Sequence, residues 1–469
     1  MADRHRKGRS FDRARLALPV LLLSVPLGLQ AARAQIIDEY FTPTGAAVGG
    51  APADPSRGQA LNRYNAGGVR AGSFVIRPDL AESFGYNSNV EGFKGGKGSS
   101  FVSSIGSVRA TSDWSRNSAF MAVTVDDRRY LDTTRQSFTN WTANIGGTVD
   151  VGRDKIGAVY SHLNLNETPG SLNTVTVSQP VAFRVDAAEL SYTATSFGRF
   201  SFIPQISVAK YDYDDYTIGN QTIQQAYRNR VGLQGGLTTR YQLAPERDLL
   251  LVVRGTHISY DNAGTNGAPK RDSDGVTVLA GIDYPAPGSN FRFRILAGIQ
   301  TRNYRSSAYR SQTAPTVEAS VAWTPTRLTT VTLLARRDIQ DAADESIAGY
   351  TATSARLSIE HELRRNIILN GYGEIQQADF QSSNLNLPVG TTNLSGGGLG
   401  FGSNGLNNSF GRAEAGTSQT LYSAGGGVTW LLNRNLRAGV TYGISDRQGS
   451  GDAGNYISHI GLLSLGFRL

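Results

Sequence analysis

The feature that most constrains this chain is a period-two alternation of apolar and polar residues, which recurs in about eighteen segments between position 73 and the C-terminus. In the clearest segment, Phe291, Phe293 and Ile295 alternate with Arg292 and Arg294. Successive side chains of a β-strand point to opposite faces, so each segment is predicted to be a strand with one apolar and one polar face. A helix would instead repeat its apolar residues every three or four positions.

The connectors between these segments alternate in length. Tight turns, such as those at 152–154, 197–199 and 433–435, alternate with long polar loops, such as 167–180 and 381–419. This alternation is typical of bacterial outer-membrane barrels, in which the short turns are periplasmic. The predicted strands start at Ser73, Ser100, Ser118, Gln136, Lys155, Val181, Arg199, Ala226, Asp248, Gly275, Asn290, Ala314, Leu328, Thr351, Asn366, Thr420, Asn435 and Tyr456.

Composition favours a membrane barrel over a soluble β-protein. Only 39% of the residues are hydrophobic, 54 are glycine, and a soluble sandwich of this size would need inner faces rich in Leu, Val and Ile. A propeller or solenoid would show a fixed sequence repeat, and we find none. We therefore predict an all-β, transmembrane, antiparallel up-and-down barrel over residues 73–469, with Trp114, Trp323 and Trp430 in an aromatic girdle near the tight turns.

The N-terminus has the pattern of a secretory signal peptide. Basic residues from Arg4 to Arg15 precede an apolar stretch that ends near Leu29, and Ala32-Arg33-Ala34 follows. This order predicts export by the general secretory route, with cleavage before Gln35. Residues 35–72, rich in Gly, Pro and Ala, are predicted to be a periplasmic extension, either flexible or acting as a plug.

The signal also changes the interpretation of the charge. The formal net charge is +8, but residues 1–34 hold seven Lys or Arg and two Asp, so five of the eight excess charges lie in the predicted signal. The near-neutral remainder gives no support for binding nucleic acid.

Three strings of residues resemble a known family. The segments 72–90, 322–337 and 359–373 are similar to strand-and-turn motifs of the β-barrel porin 2 family, and the resemblance extends over about residues 70–469. Members of this family are outer-membrane barrels associated with exopolysaccharide production. The resemblance therefore implies a role in moving polysaccharide, and it implies no catalytic residues.

No motif in the sequence predicts an enzyme, a cofactor site or a metal site. The absence of cysteine excludes thiolate chemistry, and His162, His257, His361 and His459 lie on separate strands without metal-ligand spacing. The glycine-rich strings at 95–99 and 400–405 lack the strand and helix that a nucleotide loop requires. The carboxylates of segment 211–216 do not match a calcium loop, and we interpret that segment as a solvated loop.

Arginine is the informative residue type, because the chain has 40 Arg and six Lys. Ten arginines are predicted by alternation to face the lumen, where rings of guanidinium groups favour anions. In the alternative interpretation, they pair with the inward carboxylates Asp79, Asp186, Glu318, Glu360, Glu362 and Glu374. The ten are Arg77, Arg184, Arg230, Arg240, Arg254, Arg292, Arg294, Arg302, Arg356 and Arg437, and we expect Arg292 and Arg294 to be the best candidates for unpaired charge.

Three functions remain open from the sequence. The chain is predicted to be an outer-membrane channel for anionic or sugar-rich solutes in exopolysaccharide export, a general anion-preferring porin, or a structural barrel with a filled lumen. Loop 381–419 is the predicted constriction. The predicted partners are outer-membrane lipids and lipopolysaccharide, the barrel-insertion machinery, which would recognise the last strand, and periplasmic polysaccharide-export components.

Overall fold

The computed structural model describes residues 67–174, 179–218, 221–265, 267–284, 289–382, 416–449 and 454–469. The predicted signal peptide and most of the predicted extension lie outside these residues. No helix in the described ranges is long and apolar enough to cross a membrane.

Eighteen long antiparallel strands form one closed ring, which confirms the predicted fold class. Each strand pairs with its neighbours in sequence, and the ring closes where Asp79–Asn87 of the first long strand pair with Ile460–Arg468 of the last. The long strands are β2 (Phe74–Asn87), β3 (Ser99–Ser112), β4 (Ser118–Tyr130), β5 (Phe138–Val151), β6 (Asp154–Glu167), β7 (Val181–Phe197), β8 (Phe200–Tyr213), β11 (Arg230–Ala244), β12 (Arg247–Tyr260), β13 (Ser273–Tyr284), β14 (Phe291–Tyr304), β15 (Gln312–Thr326), β16 (Thr329–Asp341), β17 (Gly349–Arg364), β18 (Ile367–Phe380), β19 (Ser418–Leu431), β20 (Leu436–Gly449) and β21 (Tyr456–Arg468).

Within the described ranges, three short strands lie outside the ring. The first, β1 (Val69–Ala71), pairs with the start of β2, inside the stretch that was predicted to be the N-terminal extension. The other two, β9 (Tyr216–Ile218) and β10 (Gln221–Ile223), form a small hairpin in the connector between β8 and β11.

The predicted strand starts agree closely with the observed ones. The largest offset is at β11, which begins at Arg230 rather than Ala226, because Ala226–Arg228 form a 3-10 turn before the strand. The tight turns use left-handed backbone where the sequence provides it, as at Gly152 with φ of 66° and Gly198 with φ of 68°.

We call the two rims the turn end and the loop end. All eight tight turns lie at the turn end, and the nine longer connectors lie at the loop end. Alternation along the strands places apolar side chains such as Leu80, Phe84, Leu463 and Val440 on the exposed outer wall. This is the arrangement that a barrel surrounded by lipid requires.

The predicted aromatic girdle is present at the turn end. Trp114, Trp323 and Trp430 lie beside tight turns, and their side chains are exposed. Phe74 packs edge-on against Trp114 with ring centroids 5.6 Å apart. Indole rings in such positions favour the boundary between lipid and water.

Two parts of the inner wall depart from the predicted polar lumen. Near the loop end, Leu163, Leu165, Phe183 and Val185 form an apolar cluster with Tyr213. A second cluster on β12, β13 and β14 consists of Leu250, Val252, Leu279 and Leu296. The inner wall is therefore partly apolar.

Candidate functional site

The candidate site is the inner wall of the barrel and the loops that lie over it at the loop end. Nine of the predicted arginines and two of the predicted carboxylates lie on the inner face of the wall. Each has the same odd or even parity as the residues that face inward on its strand. They are Arg77, Arg230, Arg240, Arg254, Arg292, Arg294, Arg302, Arg356, Arg437, Glu318 and Glu360. Whether they line a conducting path is still a prediction.

The predictions for Arg184 and Asp186 are wrong. On β7 the residues that face inward are Phe183 and Val185, which are buried in the apolar cluster near the loop end. Arg184 and Asp186 therefore lie on the outer wall, where Arg184 forms an exposed ion pair with Asp214 at 3.0 Å. The alternation rule failed here because it assumed that the polar face of every strand faces the lumen.

Many of the inward arginines are paired with carboxylates, as the alternative interpretation predicted. Arg437 donates two hydrogen bonds to Asp79, and Arg356 donates to Glu374 on the neighbouring strand at 2.7 Å. Arg254 Nη2 lies 2.7 Å from Glu318 Oε1. These pairs neutralise much of the charge on the inner wall.

Arg240 and Arg294 also lie near carboxylates. Arg240 is 3.6 Å from Asp248 and 3.7 Å from Asp283. Arg294 interacts electrostatically with Asp283 and with Glu318, so the expectation that it carries unpaired charge is wrong.

Three inward guanidinium groups near the turn end have no carboxylate partner within the described residues: Arg77, Arg109 and Arg292. Arg77 and Arg109 are directly opposite each other on β2 and β3, and Arg77 Nη1 donates to the hydroxyl of Thr111 at 3.2 Å. Arg109 is only 8% exposed, and its guanidinium group makes no hydrogen bond in the described part of the chain. Two like charges at facing positions repel unless an anion lies between them.

Arg292 lies on the opposite wall. It is the second residue of β14, and β14 is nine strands from β3 around the ring of eighteen. Unpaired guanidinium groups therefore face each other across the lumen near the turn end. The sequence prediction missed Arg109, although the signal was present: Val102 and Val108 share the outer face of β3, so Arg109 must face inward.

The loop between β16 and β17 lies inside the loop end of the barrel. Residues 342–348 are buried apart from Ser346, which is partly buried. Arg271 Nη1 donates to the carbonyl oxygens of Ala342, Asp344 and Ile347, so one guanidinium group holds the whole loop. We call residues 338–352, which include the ends of both strands, the inner hairpin.

The inner hairpin is also held by charge. Asp341 accepts from Arg302 at 2.9 Å and lies 3.2 Å from Arg230, on two inward positions of the wall. The carboxylate of Glu345 accepts from the backbone N–H of Thr265 at 2.6 Å. The four charged side chains are almost completely buried, and charge-assisted hydrogen bonds are strong in such surroundings.

A second loop meets the inner hairpin from the far side of the lumen. In loop 168–174, the side chain of Asn173 accepts from Ala343 N at 2.8 Å and donates to Asp341 O at 3.1 Å. The same loop is tied to the last two strands of the ring, because Arg447 donates to Ser171 O and Tyr456 donates to Gly170 O. We call the two loops together the lid. The predicted constriction, loop 381–419, lies mostly outside the described residues.

Two tyrosines in other loops donate to the lid. Tyr227 donates to Ala343 O and Tyr309 donates to Glu345 O, each at 3.0 Å. Burial raises the pKa of Tyr227 to about 12 and that of Tyr309 to about 12. Both phenols therefore remain neutral donors at any pH at which an exposed tyrosine would be neutral.

His162, His257, His361 and His459 lie on the outer wall. His162 Nδ1 is 2.7 Å from Asp186, His257 Nδ1 is 2.6 Å from Asp274, and His459 Nδ1 is 2.7 Å from the hydroxyl of Tyr442. No group of three His, Cys, Asp or Glu side chains in the described ranges could hold a metal ion.

A family comparison now decides what kind of barrel this is. The family model described as "Putative beta-barrel porin 2" matches residues 62–469. The chain belongs to this family. Membership of the β-barrel porin 2 family points to a channel rather than to an enzyme.

The chain is also similar to solved structures, among them proteins of Pseudomonas aeruginosa and Neisseria meningitidis. The outer membrane protein OpdK of Pseudomonas aeruginosa is 11% identical with a TM-score of 0.41, over 84% of this chain and 99% of OpdK. OpdF of the same organism, solved in complex with glucuronate, is 12% identical with a TM-score of 0.42, over 84% and 98% of the two chains. The FrpB iron transporter of Neisseria meningitidis is 9% identical with a TM-score of 0.40, over 84% and 82%. No curated protein matches the chain.

Proposed function

We propose that this member of the β-barrel porin 2 family is an outer-membrane channel for anionic, sugar-rich solutes. The observation that carries the proposal is the set of guanidinium groups of Arg77, Arg109 and Arg292, which have no carboxylate partner in the described ranges and face each other near the turn end. Guanidinium groups stay charged at any physiological pH and present planar donors to carboxylates, phosphates and sulfates. Charged rings of this kind set the ion preference of a pore.

A reversal-potential measurement tests the anion preference. The purified barrel is placed in a planar bilayer under a gradient of KCl, and the sign of the zero-current potential gives the preferred ion. We expect chloride to be preferred, and we expect the variant Arg77→Gln/Arg109→Gln/Arg292→Gln to lose that preference. The matched control is Arg184→Gln, which removes a guanidinium group from the outer wall and should leave the potential unchanged. A cation-selective wild-type barrel would contradict the proposal.

The polymer class is proposed on the family resemblance. Exopolysaccharides are often acidic, and a chain of carboxylated sugars would offer one anion after another to the arginines near the turn end. Deleting the gene should stop secretion of the polymer without changing the uptake of small hydrophilic antibiotics. A strain that secretes normally but takes up less of a small anion would instead favour the general anion-preferring porin.

We also propose that the protein is located in the outer membrane, and we propose the partners that this location implies. A signal peptide at 1–34 would direct the chain through the general secretory route. The outward face of β21, with Leu463, Leu465 and Phe467, offers an apolar surface to the barrel-insertion machinery and afterwards to lipid and lipopolysaccharide. Mass spectrometry of the purified mature protein should show Gln35 as its first residue. Periplasmic export components would contact the turn end.

A second candidate function is a structural barrel with a filled lumen. The lid and the paired arginines, such as Arg254 with Glu318, favour this alternative. It predicts that no ionic current passes through the reconstituted barrel, with or without the lid contacts. A measurable conductance in any lid variant would exclude it.

A further inference from the structure

The wall of the barrel is split at the loop end between β15 and β16. The pairing of these two strands stops at Val317 and Arg337, although β15 stays paired with β14 as far as Gln312. On the other side, β16 stays paired with β17 as far as Asp341. Residues 312–316 of β15 therefore present an edge without a partner strand, and the inner hairpin has turned away from it into the lumen.

Pro315 lies in this unpaired edge. Thr324 N donates to Asn290 O, in the residue directly before β14, and the register of β14 and β15 is regular. Even-numbered residues of β15 therefore direct their backbone groups towards β14. Odd-numbered residues direct theirs towards β16. The nitrogen of Pro315 thus faces the split and has no hydrogen to donate there. This explains why the ladder between β15 and β16 ends at the bonded pair of Val317 and Arg337, one pair before Pro315 would be reached.

Ile339 of β16 is the residue that would face Pro315. Glu362 N donates to Leu328 O, so even-numbered residues of β16 bond to β17 and the N–H of Ile339 points away from β17, towards β15. In the structure this N–H donates to the side chain of Gln300 on β14, at 2.8 Å. Gln300 therefore replaces the partner that the missing ladder would supply.

We infer that the inner hairpin is a gate, which opens when the tip of β16 pairs with the unpaired edge of β15. Continuing the existing register would place Thr316 opposite Asp338, Pro315 opposite Ile339 and Ala314 opposite Gln340. The loop at 342–348 would then be drawn from the lumen to the rim. The inference rests on the proposed function, because it assumes that a solute passes through the barrel.

The sequence of β16 fits the paired arrangement as well as the observed one. Val331, Leu333 and Ala335 share the outer face of the wall, and beyond Arg337 on the same face Ile339 continues the parity. In the paired arrangement Ile339 would face outwards beside Pro315, whereas in the structure it is 3% exposed. Pro315 leaves the ladder one bond short, and Asp341 gains Arg230 and Arg302, so the closed arrangement is favoured in the isolated chain.

A disulfide test uses the absence of cysteine in the chain. Ala314 and Gln340 would form a non-hydrogen-bonded pair in the open ladder, where the Cα atoms of facing residues come within disulfide reach. The variant Ala314→Cys/Gln340→Cys is made with and without Pro315→Val, reconstituted in lipid vesicles and oxidised. Trypsin cuts after Arg310, Arg327, Arg337 and Arg356, so the two cysteines fall in different peptides, and mass spectrometry reports whether they are linked.

We expect linked peptides, a higher yield in the Pro315→Val background, and a single-channel conductance that rises on oxidation and falls on reduction. One restored backbone hydrogen bond shifts the ratio of open to closed hairpin by about fivefold. Pro78→Val, an outward proline at the turn end of β2, is the matched control and should change neither yield nor conductance. The variant Asn173→Cys/Ala343→Cys instead places a disulfide across the closed arrangement, where these two residues are in contact. It should form linked peptides without Pro315→Val and should lower the conductance.

The absence of linked peptides in both backgrounds would overturn the inference, and so would linkage without a change in conductance. Migration of unheated samples on gels shows that each variant is a folded barrel. Whether the two peptides are linked does not depend on which ion the barrel prefers. If the peptides are linked in a barrel that is selective for cations, the proposed anionic solute is refuted and the movement of the hairpin is not. A chloride-selective barrel whose hairpin never links would refute the gate alone.

Discussion

Arg437 on β20 holds Asp79 on β2 with two hydrogen bonds, of 2.9 and 2.6 Å, and so bridges over β21, the strand that closes the ring. Both side chains are mostly buried. The pair joins positions that are 358 residues apart in sequence, and it can form only once the barrel has closed.

We expect Asp79→Asn to weaken this closure. The substitution removes the charge that Arg437 faces, and a hydrogen bond to a charged group contributes about 2 kcal/mol to the free energy of unfolding. Urea titration in lipid vesicles, followed by tryptophan fluorescence, measures the change. Asp127→Asn is the control, because Asp127 pairs with Arg129 on the outer wall and should cost less than half as much. Equal losses in the two variants would contradict a special role for the bridge.

Arg271→Gln should loosen the lid. The buried guanidinium group of Arg271 donates to three carbonyl oxygens of loop 342–348, and glutamine is too short to replace it. Hydrogen exchange of peptides from 338–356 should accelerate by about tenfold or more, since hydrogen bonds to a charged group contribute about 1.5 to 3 kcal/mol. Arg305→Gln, in a neighbouring loop but exposed, should leave the exchange unchanged.

Alkaline pH should open the lid through Tyr227 and Tyr309. The pKa of each phenol is raised by burial to about 12, above the value of about 10 in an unfolded chain. Because the pKa is raised, the stabilisation of the lid by the two neutral phenols is complete below pH 10 and is lost as the pH rises towards 12. Hydrogen exchange of the lid, corrected for its intrinsic pH dependence, should therefore increase in this window. Tyr227→Phe/Tyr309→Phe should abolish the increase.

Cysteine labelling can verify the face of β7. In Arg184→Cys the thiol should lie on the outer wall, and in Val185→Cys it should lie in the inner apolar cluster. A fluorophore at position 184 should be quenched by brominated lipids, whereas one at position 185 should be protected. The reverse result would restore the original sequence prediction for Arg184.

The strands were predictable from the sequence because alternation is a local property. The outer face of a membrane barrel must be apolar along every strand, so each strand carries its own signal. The tight turns added a second signal, and together they placed nearly every strand start within two residues, apart from β11.

The inner wall was less predictable, because nothing requires the lumen to be polar at every level. Phe183 and Val185 reverse the rule by packing on Leu163 and Leu165, which are distant in sequence. The ion pairs were also not predictable from the sequence. Alternation placed Arg254 and Glu318 on the inner face, but their contact crosses two intervening strands.

The sequence of the inner hairpin contains a feature that indicates its buried position. Loop 342–348 contains Ala342, Ala343, Ile347 and Ala348, which is unusually apolar for a loop exposed to water. Its length is ordinary for a connector of this barrel, whereas the sequence prediction places the constriction in the longest connector, 381–419. Pro315 in the middle of a predicted strand was a further sign that the neighbouring ladder is incomplete.

The lid contacts also set an order of assembly. Arg447 and Tyr456, from the last two strands, donate to Gly92, Ser171 and Gly170, which belong to the N-terminal half of the chain. These hydrogen bonds of the lid therefore cannot form until the C-terminal hairpin has entered the wall. A barrel interrupted during insertion would lack them, so their formation reports that the ring has closed.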